Sequence, residues 1–247
     1  MTSPEGPSPE SEFSVTRFSG RPDWLTSRGE FEFEHGLALG IEADELRAWQ
    51  QTGAPVLEVG PGMGASFKQL LDLGVNAYTL EPGLNYDRAP NQEAMRAPEF
   101  EGRVQAATAA DAPLVFPDQR FTAAIAMGVN FQNYSQNEYA LVNQIAGVME
   151  VLEPADSSYF SFEVGDDGVV TYDFMNNVGR EVNCFDLPAF LQAHHIRYEY
   201  RNFESPKPPK HRRAIRIFRQ SEDGADAAAI FARAASSGDL SRYTTAF

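Results

Sequence analysis

The sequence predicts an α/β fold with a doubly wound, mostly parallel sheet, and three observations support this prediction. Short apolar runs alternate with helical patterns between residues 54 and 165, which is typical of repeated β-α units. The first run leads through a loop with three alternate glycines into a helix. The chain has 247 residues, enough for one such domain with extensions.

Five strands and their crossovers fit into one continuous β-α region. Two crossover helices are expected, one at about 65–73, ended by Gly74, and one at about 136–152, with Ser135 as the N-cap. The strands are PVLEV (55–59), NAYTL (76–80), RVQAA (103–107), FTAAIAM (121–127) and SYFSFEV (158–164).

A β-hairpin insertion at 167–185 is expected next, because VVTYDFM and REVNCF flank the turn residues Asn176, Asn177 and Gly179. A helix then begins at Leu187, with Asp186 as its N-cap. Two further strands follow, RYEYRNF (197–203) and AIRIFRQ (214–220).

The remaining segments flank this sheet. The first twelve residues are rich in Pro, Ser and Glu and have little to bury, so disorder is expected there. Helices are expected at about 41–51 and 225–235. The four parts of the chain are a tail (1–12), a helical cap (13–53), the sheet domain (54–220) and a helical extension (221–247).

Composition excludes several function classes. With 20 basic and 35 acidic residues the net charge is −15, which argues against nucleic acid as a partner. The single cysteine, Cys184, excludes an internal disulfide and a multi-thiolate zinc site, and no metal is expected. No apolar run reaches the roughly 18 to 20 residues that span a bilayer, and the acidic start of the chain is unlike a signal peptide. We therefore expect a cytoplasmic protein without a membrane partner.

The loop VLEVGPGMGAS, residues 56–66, has the glycines that a nucleotide-binding turn requires. Gly60, Gly62 and Gly64 allow a sharp turn and let a ligand approach the backbone at a helix N-terminus. Gly60, Gly62 and Ala65 also satisfy the relaxed dinucleotide fingerprint. An NAD-dependent oxidoreductase is therefore one alternative.

The charge of Glu58, two residues before Gly60, favours a different ligand. A dinucleotide would place an anionic diphosphate near this carboxylate, which is repulsive in a poorly solvated crevice. S-adenosylmethionine has no phosphate and presents an ammonium and a sulfonium group instead. The sequence therefore favours S-adenosylmethionine as the cofactor.

Further cofactor contacts are expected where the next strands end. Glu81 follows the second strand and can accept hydrogen bonds from both ribose hydroxyls. Asp111 and Ala112 follow the third strand and would reach the edge and exocyclic amine of an adenine. Met127 and Gly128, where the fourth strand ends, complete the expected set.

These residues together resemble the class I S-adenosylmethionine-dependent methyltransferases. The matching features are the E-x-G-x-G-x-G run from Glu58 to Gly64, Glu81, the Asp111-Ala112 pair and PDQRF before the fourth strand. The resemblance covers residues 54–220 and ends in a helix and strand, FDLPAFLQAHHIRYEYRNF; Thr122 and Ala123 depart from it, where many relatives have an acidic residue. It implies a Rossmann-like, seven-stranded sheet with an antiparallel last strand.

The sequence indicates the residues that would bind and activate the acceptor less specifically than those of the cofactor site. His35 in the cap is a better base candidate than His194 and His195, which precede the sixth strand at the far end of the sheet. Glu163 ends the fifth strand on the crevice side and could accept a proton. The catalytic candidates are His35, Tyr134 and Glu163, and the substrate-binding candidates are Asn130, Phe131, Tyr172, Lys210 and Arg212.

Alternatives stay open at each of these positions. His35 is equally explained as a packed or surface histidine, and Phe131 and Tyr134 as residues packed under the cap. KPPKHRR, residues 207–213, is a basic loop in an acidic chain. It would either attract an anionic group of the acceptor or form a solvated turn.

We therefore expect a methyltransferase that acts on an oxygen, nitrogen or carbon nucleophile of a small molecule, mainly by positioning it for SN2 transfer. Two alternatives remain besides the oxidoreductase: a cofactor-binding protein that does not methylate, and a partner-binding subunit that docks through its alanine-rich end. The sequence does not name the acceptor, and a homodimer is left open.

Overall fold

The computed structural model describes residues 41–61, 64–85, 95–96, 98–126, 137–165, 170–176, 179–204, 211–221 and 224–246. A seven-stranded sheet consists of the strands β1 (Val56–Val59), β2 (Ala77–Leu80), β3 (Val104–Gln105), β4 (Ala123–Ala126), β5 (Tyr159–Val164), β8 (Tyr198–Glu204) and β9 (His211–Phe218). Their order in the sheet is β3-β2-β1-β4-β5-β9-β8. All neighbouring strands are parallel except β9, which is antiparallel to both β5 and β8. The predicted fold class is confirmed.

Helices cover both faces of this sheet. Because side chains alternate along a strand, Val56 packs on one face with Trp49 and Phe67, whereas Leu57 packs on the other with residues of α3 to α6. The helices are α1 (Ala43–Thr52), α2 (Ala65–Asp72), α3 (Ala112–Val115), α4 (Glu138–Glu150), α5 (Leu187–Ala193) and α6 (Ala227–Ser237). Short 3₁₀ turns, which sequence patterns did not predict, lie at Pro82–Asn85, Pro98–Phe100, Ala109–Asp111 and Ser241–Tyr243.

Helix boundaries follow local capping. Asn137 caps α4 by accepting a hydrogen bond from the Ala140 amide at 2.8 Å, so the prediction of Ser135 as the cap is wrong. Asn and Ser are comparable caps, and pattern alone did not distinguish them. Asp186 caps α5 through the Ala189 amide, as predicted, at 2.9 Å.

An ion-pair network attaches α1 to the sheet. Arg216 in β9 is only 3% exposed and forms a two-pronged pair with Glu45, at 2.8 and 3.0 Å. The Tyr159 hydroxyl also donates to Glu45 at 3.2 Å, and the Arg216 guanidinium lies 4.0 Å from the centre of the Tyr159 ring. The helix is therefore held over β5 and β9 by a geometry that a Lys could not reproduce.

A second, three-stranded sheet forms beside the first, in the order β10-β7-β6. The predicted hairpin is present as β6 (Val170–Asn176) and β7 (Gly179–Phe185). The carboxyl-terminal segment, predicted as a helix alone, also supplies β10 (Thr244–Ala246), which pairs antiparallel with β7. This pairing was missed because it joins segments about 60 residues apart, which local pattern does not reveal.

Candidate functional site

The crevice of interest lies where β1, β2 and β4 end. β1 pairs with β2 on one side and with β4 on the other, so the order of strands reverses there. In doubly wound sheets ligands bind at this switch point, outside the carboxyl ends of the strands. These strand ends, together with residues 60–61, 64–66 and 81–83, form the crevice.

Glu58, in the next-to-last position of β1, is completely buried. Its Oε1 accepts a hydrogen bond from the Ser66 hydroxyl at 2.5 Å, and its backbone carbonyl accepts one from the Thr79 hydroxyl at 2.7 Å. Among the described residues, Oε2 has no hydrogen-bond partner. An unpaired polar atom in the interior lowers the stability of the fold. This oxygen is therefore a position at which a ligand could donate a hydrogen bond.

Burial also changes the charge of Glu58. Desolvation raises its pKa to about 8, with the hydrogen bond from Ser66 opposing the rise and the charge of Glu81 adding to it. The carboxyl group is therefore mostly protonated at pH 7 when no ligand is present. The sequence predicts an anion at Glu58, whereas its full burial disfavours the charged form.

The glycine loop has the backbone geometry that the sequence predicts at the two glycines described. Gly60 has φ +71° and donates its amide to the Leu80 carbonyl at 2.8 Å. Gly64 precedes α2 with φ +82°, and a Cβ there would collide with the sulfur of Met95. Positive φ and this close approach both require glycine. Gly62 lies outside the described residues.

Glu81 follows β2 directly and is 1% exposed. Its Oε1 accepts a hydrogen bond from the Gly83 amide at 2.7 Å. Glu58 and Glu81 thus place two buried carboxyl groups at neighbouring strand ends, close enough for the charge of one to raise the pKa of the other. A cationic ligand would relieve this unfavourable arrangement.

Asp111 has a structural role that the sequence did not indicate. Its Oδ2 accepts hydrogen bonds from the amide and hydroxyl of Thr108, at 3.1 and 2.6 Å, in a capping box. Oδ1 accepts no hydrogen bond from the described residues and can still accept one from a ligand. The Ala112 amide is already bonded to the Ala109 carbonyl, and the Ala112 side chain is buried.

The acceptor candidates are only partly placed. Glu163 is half-buried in the next-to-last position of β5, opposite Ala214 of β9. This position is near the carboxyl end of β5, on the same side of the sheet as the strand ends that form the crevice. Tyr172 lies in β6 and Arg212 in β9, and only their backbone positions are described. The candidates outside the described residues are His35, Met127, Gly128, Asn130, Phe131, Tyr134 and Lys210.

Three residues in or next to the crevice were not singled out from the sequence. Ser66 and Gly83 bind the two carboxyl groups, and Met95 packs against Gly64. Ser66 had a usable signal, since it is the polar residue in the first turn of an otherwise apolar helix start. Across the described segments, no three His, Cys, Asp or Glu side chains are grouped as metal ligands. None of the helices described has the length and apolar character to cross a membrane.

Comparison with known proteins gives similarity of structure only. No protein-family model and no curated protein matches the chain. DesVI of Streptomyces venezuelae is 15% identical, with 71% of this chain and 88% of that chain covered, at a TM-score of 0.47. The 1,6-didemethyltoxoflavin-N1-methyltransferase of Burkholderia thailandensis, solved with 1,6-didemethyltoxoflavin and S-adenosylhomocysteine, is 18% identical, with 71% and 76% covered, at 0.44. Magnesium protoporphyrin IX methyltransferase of Synechocystis PCC 6803, solved with S-adenosylmethionine, is 13% identical, with 72% and 77% covered, at 0.44.

Proposed function

We propose that the chain transfers a methyl group from S-adenosylmethionine to a small-molecule acceptor. The observation that carries the proposal is the buried Glu58 carboxyl group, whose Oε2 has no partner among the described residues. A positively charged hydrogen-bond donor on the ligand would pair with this oxygen, and its charge would favour the ionised form of the carboxyl group. S-adenosylmethionine has two such cationic groups, and it has no phosphate.

The neighbouring residues support the nucleoside part of the proposed ligand. Glu81 follows β2, where a carboxylate accepts hydrogen bonds from ribose hydroxyls in nucleotide-binding sheets of this type. Asp111 has Oδ1 available for an amine on an adenine edge. Gly60 and Gly64 keep the loop backbone bare, so that a ligand can lie against it.

Methyl transfer itself depends on position. When bound, S-adenosylmethionine would supply a methyl group whose bond to sulfur breaks as the acceptor nucleophile displaces it in line, with S-adenosylhomocysteine as the leaving group. The chain would contribute by holding the acceptor near and excluding water, and such positioning is worth roughly 7 to 11 kcal/mol. Glu163, at the crevice edge of β5, is the proposed proton acceptor among the described residues. His35 and Tyr134 stay predictions for this role.

The acceptor-binding residues are also proposals. Asn130, Phe131 and Tyr172 would line the pocket. Lys210 and Arg212 would meet an anionic group on the acceptor if it has one. A location in the cytoplasm is part of the same proposal.

An NAD-dependent oxidoreductase is the second candidate, and one observation favours it. Because Glu58 is mostly protonated at neutral pH without a ligand, it would repel a diphosphate less than a permanently charged group would. The two candidates therefore differ most clearly in the ligand that binds, which calorimetry measures directly.

Titration calorimetry with S-adenosylhomocysteine and with NAD tests the proposal. We expect the methyl-donor analogue to bind, and Glu58→Gln and Glu81→Gln each to weaken it by about 30-fold or more, since each removes a buried charged partner. Glu101→Gln, which removes the same charge from an exposed position, is the matched control and should bind normally. Binding of NAD without the analogue, or full affinity in Glu58→Gln and Glu81→Gln, would contradict the proposal.

Incubation with donor labelled in its methyl group and with fractionated metabolites then separates catalysis from binding. A labelled small molecule is the expected product. Donor binding without any labelled product would favour a cofactor-binding protein that does not methylate.

A further inference from the structure

A second cavity lies away from the crevice, between α5, α6 and the segment that follows α6. It has a volume of about 220 Å³. Its apolar wall includes Phe190, Ile230, Leu240 and Tyr243, and the wall shares no residue with the crevice. The volume is below the usual range for drug-sized ligands and fits a molecule with one ring.

Three basic side chains stand at this cavity: His194 on the end of α5, Arg233 on α6, and Arg242 in the turn after it. No carboxylate of the described residues forms an ion pair with Arg233 or Arg242, in contrast to Arg201, Arg216 and Arg219. In a chain of net charge −15, a group of basic side chains without acidic partners is a candidate anion site.

The neighbouring positive charges affect the pKa of His194. Burial is the largest cause that lowers this pKa, and the positive charges of Arg242 and Arg233 lower it further, with His195 adding to the effect. The centre of its ring lies 4.5 Å from the centre of the Phe190 ring, with the two rings tilted by 46°, and this contact holds His194 at the cavity wall. The same site therefore combines an aromatic surface with an excess of positive charge.

One acidic group opposes this charge. Asp239 also lines the cavity, but its Oδ1 accepts hydrogen bonds from the amide and hydroxyl of Ser241, at 3.2 and 2.6 Å. Its charge is thus partly compensated locally, and two arginines still outnumber it. The balance at the cavity is positive even with His194 neutral.

We propose that this cavity binds a small aromatic carboxylate, with the ring against Ile230 and Tyr243 and the carboxylate between Arg233 and Arg242. Guanidinium groups bind carboxylates through two parallel hydrogen bonds, and the apolar wall takes up the ring. The site is separate from the crevice, so its occupation does not depend on the function proposed above.

Benzoate is a suitable probe, with benzamide as its uncharged analogue. We expect benzoate, and not benzamide, to shift the ring resonances of His194 in an NMR titration and to raise the pKa of His194, because a bound anion stabilises the imidazolium. No shift with benzoate, or equal shifts with both compounds, would overturn the proposal.

A pair of double variants tests the arginines. Arg233→Gln with Arg242→Gln should weaken benzoate binding by about tenfold or more. Arg47→Gln with Arg120→Gln removes the same net charge from exposed arginines elsewhere and should leave the affinity unchanged. Equal losses in both would show that only net charge matters and would contradict a built site. Circular dichroism and thermal unfolding of the wild type and the two double variants check that all three proteins are folded.

Discussion

Glu58 shows how burial can turn a simple acidic residue into a group whose charge depends on its ligand. In the unliganded chain its pKa is about 8 because of desolvation. Next to a cation the charged form becomes favourable again, so the pKa falls. Cation binding must then be accompanied by loss of a proton.

This coupling has a definite pH dependence. Below pH 8 a proton competes with the ligand for Glu58, so affinity should rise as the pH approaches about 8. We expect S-adenosylhomocysteine, through its ammonium group, to bind with release of most of one proton at pH 7 and of less as the pH approaches 8. Calorimetry in buffers of different ionisation enthalpy measures this number directly.

Glu58→Gln provides the control for proton release. The variant keeps the shape of the side chain but has no proton to lose, so release at pH 7 should disappear. If wild-type protein releases no proton at pH 7 while binding the analogue, Glu58 is not the group that meets the cation.

At the scale of single elements, the turn before α2 depends on a glycine for two separable reasons. Gly64 and Gly74 have nearly the same positive φ, +82° and +80°, but only Gly64 has a neighbour, Met95, where a Cβ would be. Gly74→Ala should therefore lower the free energy of unfolding only through backbone strain, by about 1 kcal/mol. Gly64→Ala should cost about 1 to 3 kcal/mol more, because Met95 is buried and cannot turn away freely.

Denaturant unfolding of both variants measures the two costs. The difference between them isolates the contact with Met95, since the backbone strain is shared. Equal losses would mean that Met95 moves aside without cost and that the turn requires glycine only for its φ.

Helix α1 offers another matched pair, since Asp44 and Glu45 are adjacent acids with different partners. Glu45 pairs with the buried Arg216, whereas Asp44 pairs on the surface with Arg47 and is 85% exposed. Glu45→Ala should destabilise by about 2 to 4 kcal/mol, because it removes the closest ion-pair partner of the buried Arg216, whereas the contact with Glu199 is longer, at 3.3 Å. Asp44→Ala should change stability by less than about 0.5 kcal/mol.

Thermal or denaturant unfolding distinguishes these outcomes. Similar small losses in both variants would indicate that Glu199 replaces Glu45 as the partner of Arg216. α1 would then be held mainly by its apolar face, through Trp49.

At the scale of the whole molecule, the seven-stranded sheet was predictable because its information is local. Each buried strand is a short apolar run, and capping residues such as Asp186 mark helix starts within a few residues. β10 was not predictable in this way, because TTA has no apolar alternation and forms only where β7 offers an edge. The 3₁₀ turns, each three or four residues long, have no periodicity to detect.

The candidate site was predictable in position but less so in chemistry. The positions of Glu58, Gly60, Gly64 and Glu81 at the crevice follow from their places at strand ends. The protonation of Glu58 depends on burial by residues distant in sequence, and the capping role of Asp111 on local geometry. Neither can be obtained from the order of residue types alone.

The antiparallel pairing of β10 with β7 has a practical consequence for handling the protein. β10 covers one edge of β7 in the small sheet. Removing residues 244–246 would uncover the backbone donors and acceptors of β7, and an uncovered strand edge can pair with other chains. Shortened variants of the protein should therefore keep these residues to avoid aggregation.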